Sequence, residues 1–205
     1  MKQQYIIVGA GGFGRELACW IGLSEVLGFL DDTKGGYSML PGYPDHPVLG
    51  RIDDWVQFQR HTFLIAIGDP EGREKVVERM QGAVLSIYVH RSAFIAENAE
   101  IGEGCIVGPF ANIAANSVLG RFVIVNGHSG VGHDANVGEF TTLSSHVDIT
   151  GHVTVGRKCF FGSRAGVIPG RKIGDSCLIG AGAIAISNVP ASTTVYQNPP
   201  RFIWR

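Results

Sequence analysis

From Ile95 onward an aliphatic residue or Phe returns at every sixth position without a slip: Ile95, Ile101, Val107, Ile113, Leu119, Val125, Val131, Val137, Leu143, Ile149, Val155, Phe161, Val167, Ile173 and Ile179. Two positions before each following hit stands a mostly small residue, from Ala99, Cys105 and Ala111 through Ala165, Cys177 and Ala183. Only Arg171 breaks that second rule. A period of six matches neither the 3.6-residue period of a helix nor the alternation of a half-buried strand. It fits a coil of three short strands per turn, each giving one large and one small inward side chain, because a triangular prism has little room at its centre. Residues eighteen apart then stack on one face. Gly follows the aliphatic position at Gly102, Gly108, Gly120, Gly132, Gly138, Gly156, Gly162, Gly174 and Gly180, and these glycines are expected to supply positive φ at the corners. The stretch reads as a parallel β-helix, and the general rule for parallel crossovers would make it right-handed.

The residues before the coil follow another pattern. Tyr5, Ile6, Ile7 and Val8 form a short buried strand, followed by Gly9-Ala10-Gly11-Gly12-Phe13-Gly14 and an expected helix over residues 15–21. Strand, G-x-G-x-x-G and helix in that order suit a diphosphate, since the glycines allow close approach and the helix N-terminus offers free N–H groups. A second strand, Val26–Leu30, ends at Asp31-Asp32, about twenty residues after the Gly run, where Rossmann folds place a ribose-binding carboxylate. Residues 33–47 read as a Gly/Pro-rich loop, 51–59 as a helix, 63–67 as a strand ending at Gly68-Asp69-Pro70, 71–81 as a helix and 84–89 as a last strand. The fold class is thus an α/β Rossmann-like lobe (1–90) followed by the β-helix and a C-terminal tail (91–205). The Gly run alone also fits a plain turn or NAD, but the lobe is short and lacks a second mononucleotide half. That favours a nucleotide-linked ligand over a redox cofactor.

Composition narrows the function. The 205 residues are 45% apolar with a net charge of −1, so no electrostatic footprint points to nucleic acid or an anionic membrane. No window approaches a transmembrane span, and the apolar run at residues 5–8 is too short for a signal peptide, which predicts a cytoplasmic protein. Cys105, Cys159 and Cys177 fall on small inward positions and read as buried hydrophobes rather than disulfides or metal ligands.

A truncated lobe carrying GAGGFGRE, FLDD and IAIGD, followed by hexapeptide repeats, resembles the NeuD/PglD-like sugar acetyltransferases over essentially the whole chain. The resemblance implies a left-handed coil, homotrimers with active sites between subunits, and acetyl-CoA as the acyl donor with no metal. It implies N-acetylation of the 4-amino group of a nucleotide-linked dideoxysugar, with O-acetylation of a sugar or sialic acid as the alternative. The family's active-site pattern falls on Asn126, His133 and Asp134: His133 as general base, Asp134 as the acid that tunes it, Asn126 as a substrate contact. Gly11, Gly12, Phe13, Gly14, Asp31, Asp32 and Gly68 are the expected nucleotide-sugar contacts. Gly151 is expected to offer an N–H to the thioester oxygen, Thr142, Ser163 and Ala181 to line the pantetheine groove, and Arg201 in the ending Asn198-Pro199-Pro200-Arg201 to meet CoA phosphate. The chemistry suits these types, since a neutral imidazole takes the proton the attacking amine loses and a carboxylate fixes its tautomer. Successive residues of a flat strand point apart, so His133 and Asp134 cooperate only at a corner.

Two rival readings remain. Spacing stacks His128 on His146 and Asp134 on His152, and His128 and His133 stand five apart, as two zinc ligands do in γ-class carbonic anhydrases. There is no His between residues 91 and 127 to serve as the third ligand. A non-catalytic trimeric scaffold would use neither the Gly run nor His133-Asp134.

Overall fold

The computed structural model describes residues 4–33, 38–40 and 42–197. Strands β1 (Tyr5–Val8), β2 (Val26–Leu30), β3 (Ser38–Leu40), β4 (Tyr43–Gly50), β5 (Thr62–Ile65) and β6 (Val84–Leu85) form one sheet in the order β3-β4-β2-β1-β5-β6, with only the β3–β4 pairing antiparallel. Two helices, α1 (Gly12–Ile21) and α2 (Pro70–Arg79), follow β1 and β5. Period-two alternation sorts the sheet's side chains. Ile7 joins Leu17, Ala18, Phe29 and Leu64 in one core, and Ile6 and Val8 join Leu30, Phe63, Ile65 and Val76 in the other.

Several boundaries differ from the sequence reading. Helix α1 begins at Gly12, inside the Gly run, with Gly11 as its N-cap. Gly14 then packs its bare α-carbon on the Gly9 carbonyl, a close approach that requires the helix to start early. Residues 33–47 are not a loop throughout, because they hold β3 and most of β4, which pairs with β2 at Phe29 and Val48. Pro44 and Pro47 argue against a strand there. Residues Ile52–Phe58 form a 3₁₀ helix rather than an α-helix. The expected last strand splits: Val84–Leu85 closes the sheet, while Tyr88–Val89 already pairs with Ile106–Val107 of the coil.

The coil is a left-handed parallel β-helix of two-residue strands on three faces. The first face runs through Tyr88–Val89, Ile106–Val107, Ile124–Val125, Thr142–Leu143, Phe160–Phe161, Leu178–Ile179 and Thr194–Val195. The second runs from Phe94–Ile95 to Ile184–Ala185 and the third from Glu100–Ile101 to Lys172–Ile173. The core holds the large inward residues from Val107 to Ile179 and most of the small ones, including Cys105, Cys159 and Cys177, while Ser117, Ser129 and Thr141 fill small positions as buried polar residues. Burial pushes the Cys105 thiol up to about 12 and the Cys159 thiol up to about 11, so both stay protonated.

The glycines after the aliphatic position do not supply positive φ. That conformation belongs two residues later and mostly to other residue types: Phe110, Asn116, Phe122, His128, Asp134, Phe140, His146 and His152 all have φ near 60°. The glycines serve packing between turns. A Cβ on Gly102 would stand 2.7 Å from the Arg121 nitrogen, and one on Gly138 would stand 2.5 Å from the Gly156 carbonyl carbon.

The lobe covers the N-terminal part of the first face, up to Thr142, while Leu178 further along is exposed. Ile106 and Ile124, on its outward positions, are buried in the lobe core with Ile7 and Phe29. Phe122 and Phe140, at the corner between the third and first faces, stack at 5.2 Å inside the other lobe core. Arg73 on α2 is fully buried and reaches the Phe122 carbonyl (3.0 Å), the Phe140 carbonyl and Thr142 Oγ1 (2.9 Å). Beside it Glu74 pairs with Arg157 and Lys158 of the coil.

Candidate active site

His133 and Asp134 occupy the corner between the second and third faces, across the prism from the face that the lobe covers. Asp134 takes the left-handed conformation (φ 59°), which turns its side chain alongside that of His133 instead of to the opposite face. Asp134 Oδ2 lies 2.7 Å from His133 Nδ1. Its Oδ1 accepts the Asn116 amide at 3.0 Å, and His152 Nδ1 stands 3.8 Å from Oδ2. The His133 and His152 rings meet edge-on at 4.8 Å. The hydrogen bond from His133, then that from Asn116, holds the Asp134 carboxyl below the usual range, so it is ionised at neutral pH.

An ionised Asp134 that accepts from Nδ1 leaves the Nε2 lone pair of His133 as a proton acceptor. Nε2 lies over Gly151, where a Cβ would stand 2.6 Å away. The Gly151 N–H donates to no group among the described residues. These residues together can take a proton and offer a hydrogen bond to a developing oxyanion.

The corner between the first and second faces carries other expected residues. Asn126 is half-buried, and its side-chain oxygen accepts the Gly127 N–H at 2.6 Å. Ser163 and Ala181 are exposed and one turn apart. Phe110, His128 and His146 form a stacked column there, with ring separations of 5.0 and 4.8 Å. Beside it a groove of about 250 Å³ opens on the second face between His146, Arg164, Ile168 and Ile184.

Thr142 is not part of an open groove. It is buried on the lobe-covered face, where its hydroxyl donates to the Gly68 carbonyl at 2.7 Å and accepts from Arg73. Gly68 is thereby tied to the coil. Asp31 is also buried, with Oδ2 accepting the Ala10 N–H (2.7 Å) and Oδ1 accepting from Thr33. It braces the Gly run rather than facing outward. Asp32 accepts from Ile52 N–H and pairs with Arg79 at 2.7 Å, which holds its carboxyl below the usual range. Phe13 packs edge-on against Trp20 at 5.9 Å. Gly11 and Gly12 face open space, and the first turn of α1 has neither an acidic residue nor a side-chain cap. Arg201 lies outside the described residues.

His133, Asp134 and His152 bring three ligand atoms within 4.8 Å of one another, the one such set among the described residues. His128 sits on a different corner from His133. The sequence reading missed Asn116, although it lies eighteen residues before Asp134, and it missed Arg73, for which no motif gives a signal.

Comparison with known proteins adds independent information. The model of the PglD N-terminal domain matches residues 4–80, and that of the hexapeptide repeat of succinyl-transferase matches residues 152–186. An uncharacterised protein of Acanthamoeba polyphaga mimivirus is 30% identical over 89 residues, which is 43% of this chain and 17% of that protein. Among solved structures, the acetyltransferase domain of PglB from Neisseria gonorrhoeae FA1090, in complex with acetyl coenzyme A, superposes with a TM-score of 0.87 at 27% identity, covering 99% of this chain and 100% of that one. Perosamine N-acetyltransferase from Caulobacter crescentus, a histidine-to-asparagine variant in complex with CoA and GDP-perosamine, gives a TM-score of 0.85 at 26% identity, covering 96% and 95%. WeeI from Acinetobacter baumannii AYE gives 0.84 at 25% identity, covering 98% and 100%.

Proposed function

We propose that this chain, a PglD-like hexapeptide-repeat acetyltransferase, transfers the acetyl group of acetyl-CoA to the 4-amino group of a nucleotide-linked amino-dideoxysugar. The observation that carries the reading is the His133 Nδ1–Asp134 Oδ2 hydrogen bond of 2.7 Å, which leaves Nε2 as a free base on an exposed corner. The sugar amine attacks the thioester carbonyl carbon as Nε2 takes its proton. The tetrahedral oxyanion accepts the Gly151 N–H, and collapse breaks the C–S bond. The imidazolium then returns its proton to the departing CoA sulfur. Asp134 holds the imidazole tautomer and balances its charge throughout.

The nucleotide diphosphate rests on the Gly11–Gly12 turn and the unpaired first turn of α1. Asp31 keeps that turn in shape through Ala10, so its part is indirect. The pantetheine arm follows the groove on the second face past Ser163 and Ala181, with Asn126 at the acceptor side.

The working unit is a homotrimer with sites between subunits. Within one chain the lobe covers the first face, while His133 stands at the opposite corner with its side chain 60% exposed. A sugar held by the lobe therefore meets the His133 of a second copy. Phe94 and Ile184, 61% and 60% exposed on the second face, offer apolar surface for that contact. Among the described residues no helix is long and apolar enough to cross a membrane, and the soluble sugar nucleotide fits a cytoplasmic enzyme.

The test is CoA thiol release from acetyl-CoA against UDP-, GDP- and dTDP-4-amino-dideoxysugars. Release with one of them, reduced at least roughly a hundredfold in a folded His133→Ala variant, is the expected result. Release confined to hydroxyl acceptors would replace N-acetylation with O-acetylation. An equally active His133→Ala would remove His133 as the base.

A further inference from the structure

Asp134 stands between two imidazoles. Its Oδ2 lies 2.7 Å from His133 Nδ1 and 3.8 Å from His152 Nδ1, so a modest rotation of the carboxylate would give the same oxygen to the histidine one turn further along. Asn116, one turn back, opposes that rotation. Its Nδ2–H donates to Asp134 Oδ1 at 3.0 Å. Its own amide is held from the turn before, where Asn98 Nδ2–H donates to Asn116 Oδ1 at 2.5 Å and Asn98 Oδ1 accepts the Asn116 N–H at 3.3 Å. The column Asn98–Asn116–Asp134 thus runs along the coil axis at eighteen-residue steps and ends at the catalytic pair.

We propose that Asn116 is a positioning residue for the acetyl transfer, pinning Asp134 Oδ1 so that Oδ2 serves His133 and not His152. The inference rests on His133 as the base. With the carboxylate held, the proton of neutral His133 stays on Nδ1 and the Nε2 lone pair faces Gly151. With it released, Asp134 divides its time between two histidines, and His133 loses the partner that selects its tautomer. Asn suits the place on a second count: φ is 57° there, and Asn tolerates the left-handed region better than other residues with a side chain long enough to reach Asp134.

The test uses Asn116→Gly, because Gly adopts that φ without strain and deletes only the side chain. Melting temperature checks the fold. The expected result is a fall in kcat of roughly tenfold or more, the rate equivalent of one hydrogen bond to a charged group, with KM for both substrates near wild type. The ¹⁵N spectrum of the His133 imidazole should move from the Nδ1–H tautomer toward a mixture with Nε2–H. Adding His152→Phe to Asn116→Gly removes the competing imidazole and should recover much of both losses. Phe fits that corner conformation, as Phe110, Phe122 and Phe140 show. If Asn116→Gly melts early, Asn98→Ala loosens the column one turn further away and should give weaker shifts of the same kind.

Wild-type kcat and an unchanged tautomer in Asn116→Gly would overturn the proposal. So would a loss that His152→Phe leaves untouched, since that marks a merely structural role. An active His133→Ala would instead remove the base assignment and the catalytic meaning of Asn116 with it. The imidazole spectrum reports Asp134's choice of partner independently of turnover.

Discussion

The ring of His133 lies against the bare α-carbon of Gly151, eighteen residues on, so that a β-carbon built there would stand 2.6 Å from Nε2. A methyl group would displace the exposed ring rather than the backbone, which the coil's ladder holds. Gly151→Ala is therefore expected to lower kcat roughly tenfold or more while moving Tm by no more than a few degrees. Steady-state kinetics with thermal melting checks this. Full kcat in Gly151→Ala would mean that the contact has no part in placing the base.

Asp134 carries a charge whose loss has a predictable sign. Its carboxyl is held below the usual range by His133 and then by Asn116, so its support is present above the ordinary Asp value and is lost only as pH falls through the lowered one. Above about pH 5 the wild-type kcat profile should carry no ionisation of Asp134. Asp134→Asn should lower the plateau by roughly two orders of magnitude, a smaller loss than removal of a fully buried partner would give. An unchanged plateau in Asp134→Asn would remove Asp134 from the mechanism.

What the sequence made legible was what repeats. The hexad pattern assigned the inward residues of the coil and the stacking of His128 on His146 and of Asp134 beside His152. A period is a geometric instruction, and it carries over directly. The Gly positions were misread because two different demands, positive φ and close packing between turns, both select glycine. Asp31 and Asp32 stand where the motif expects them, yet their oxygens hold Ala10, Thr33, Ile52 and Arg79, and chain position does not report which atoms a carboxylate meets. Thr142 was misplaced for a related reason: the hexad makes it an outward residue, but only the docked lobe decides that outward there means buried. Lobe and coil meet in part through Arg73 and Phe122, neither of which belongs to a motif, and through Phe140, which the family pattern contains but gives no docking role.

Arg73 is the residue on which that docking depends most. It is fully buried, its acceptors are carbonyl and hydroxyl oxygens from both lobe and coil, and burial lowers its pKa to about 10. Replacing it with Met keeps much of the volume and leaves the Phe122 and Phe140 carbonyls without their donor. Arg73→Met should cost about 3 kcal/mol, as lost bonds from a charged donor and stranded buried acceptors do. Denaturant melts would show the loss, and a stability within about 0.5 kcal/mol of wild type would show that these carbonyls find other partners.

Glu74 makes the same seam sensitive to acid. Lys158 and then Arg157, both on the coil, outweigh its burial and hold its carboxyl below the usual range. A depressed carboxyl contributes stability that is complete above the ordinary glutamate value, about 4.3, and is lost as pH falls through the depressed one. At pH 7 Glu74→Gln should therefore melt a few degrees below wild type, the equivalent of about 1 kcal/mol for a partly buried pair. The gap should narrow steadily as pH falls from the ordinary glutamate value through the depressed one, because the wild-type carboxyl becomes protonated over that range. A gap that stays constant as pH falls through the acid range would assign the effect to packing rather than to charge. Scanning Tm against pH for the two proteins side by side separates these outcomes, because packing does not titrate.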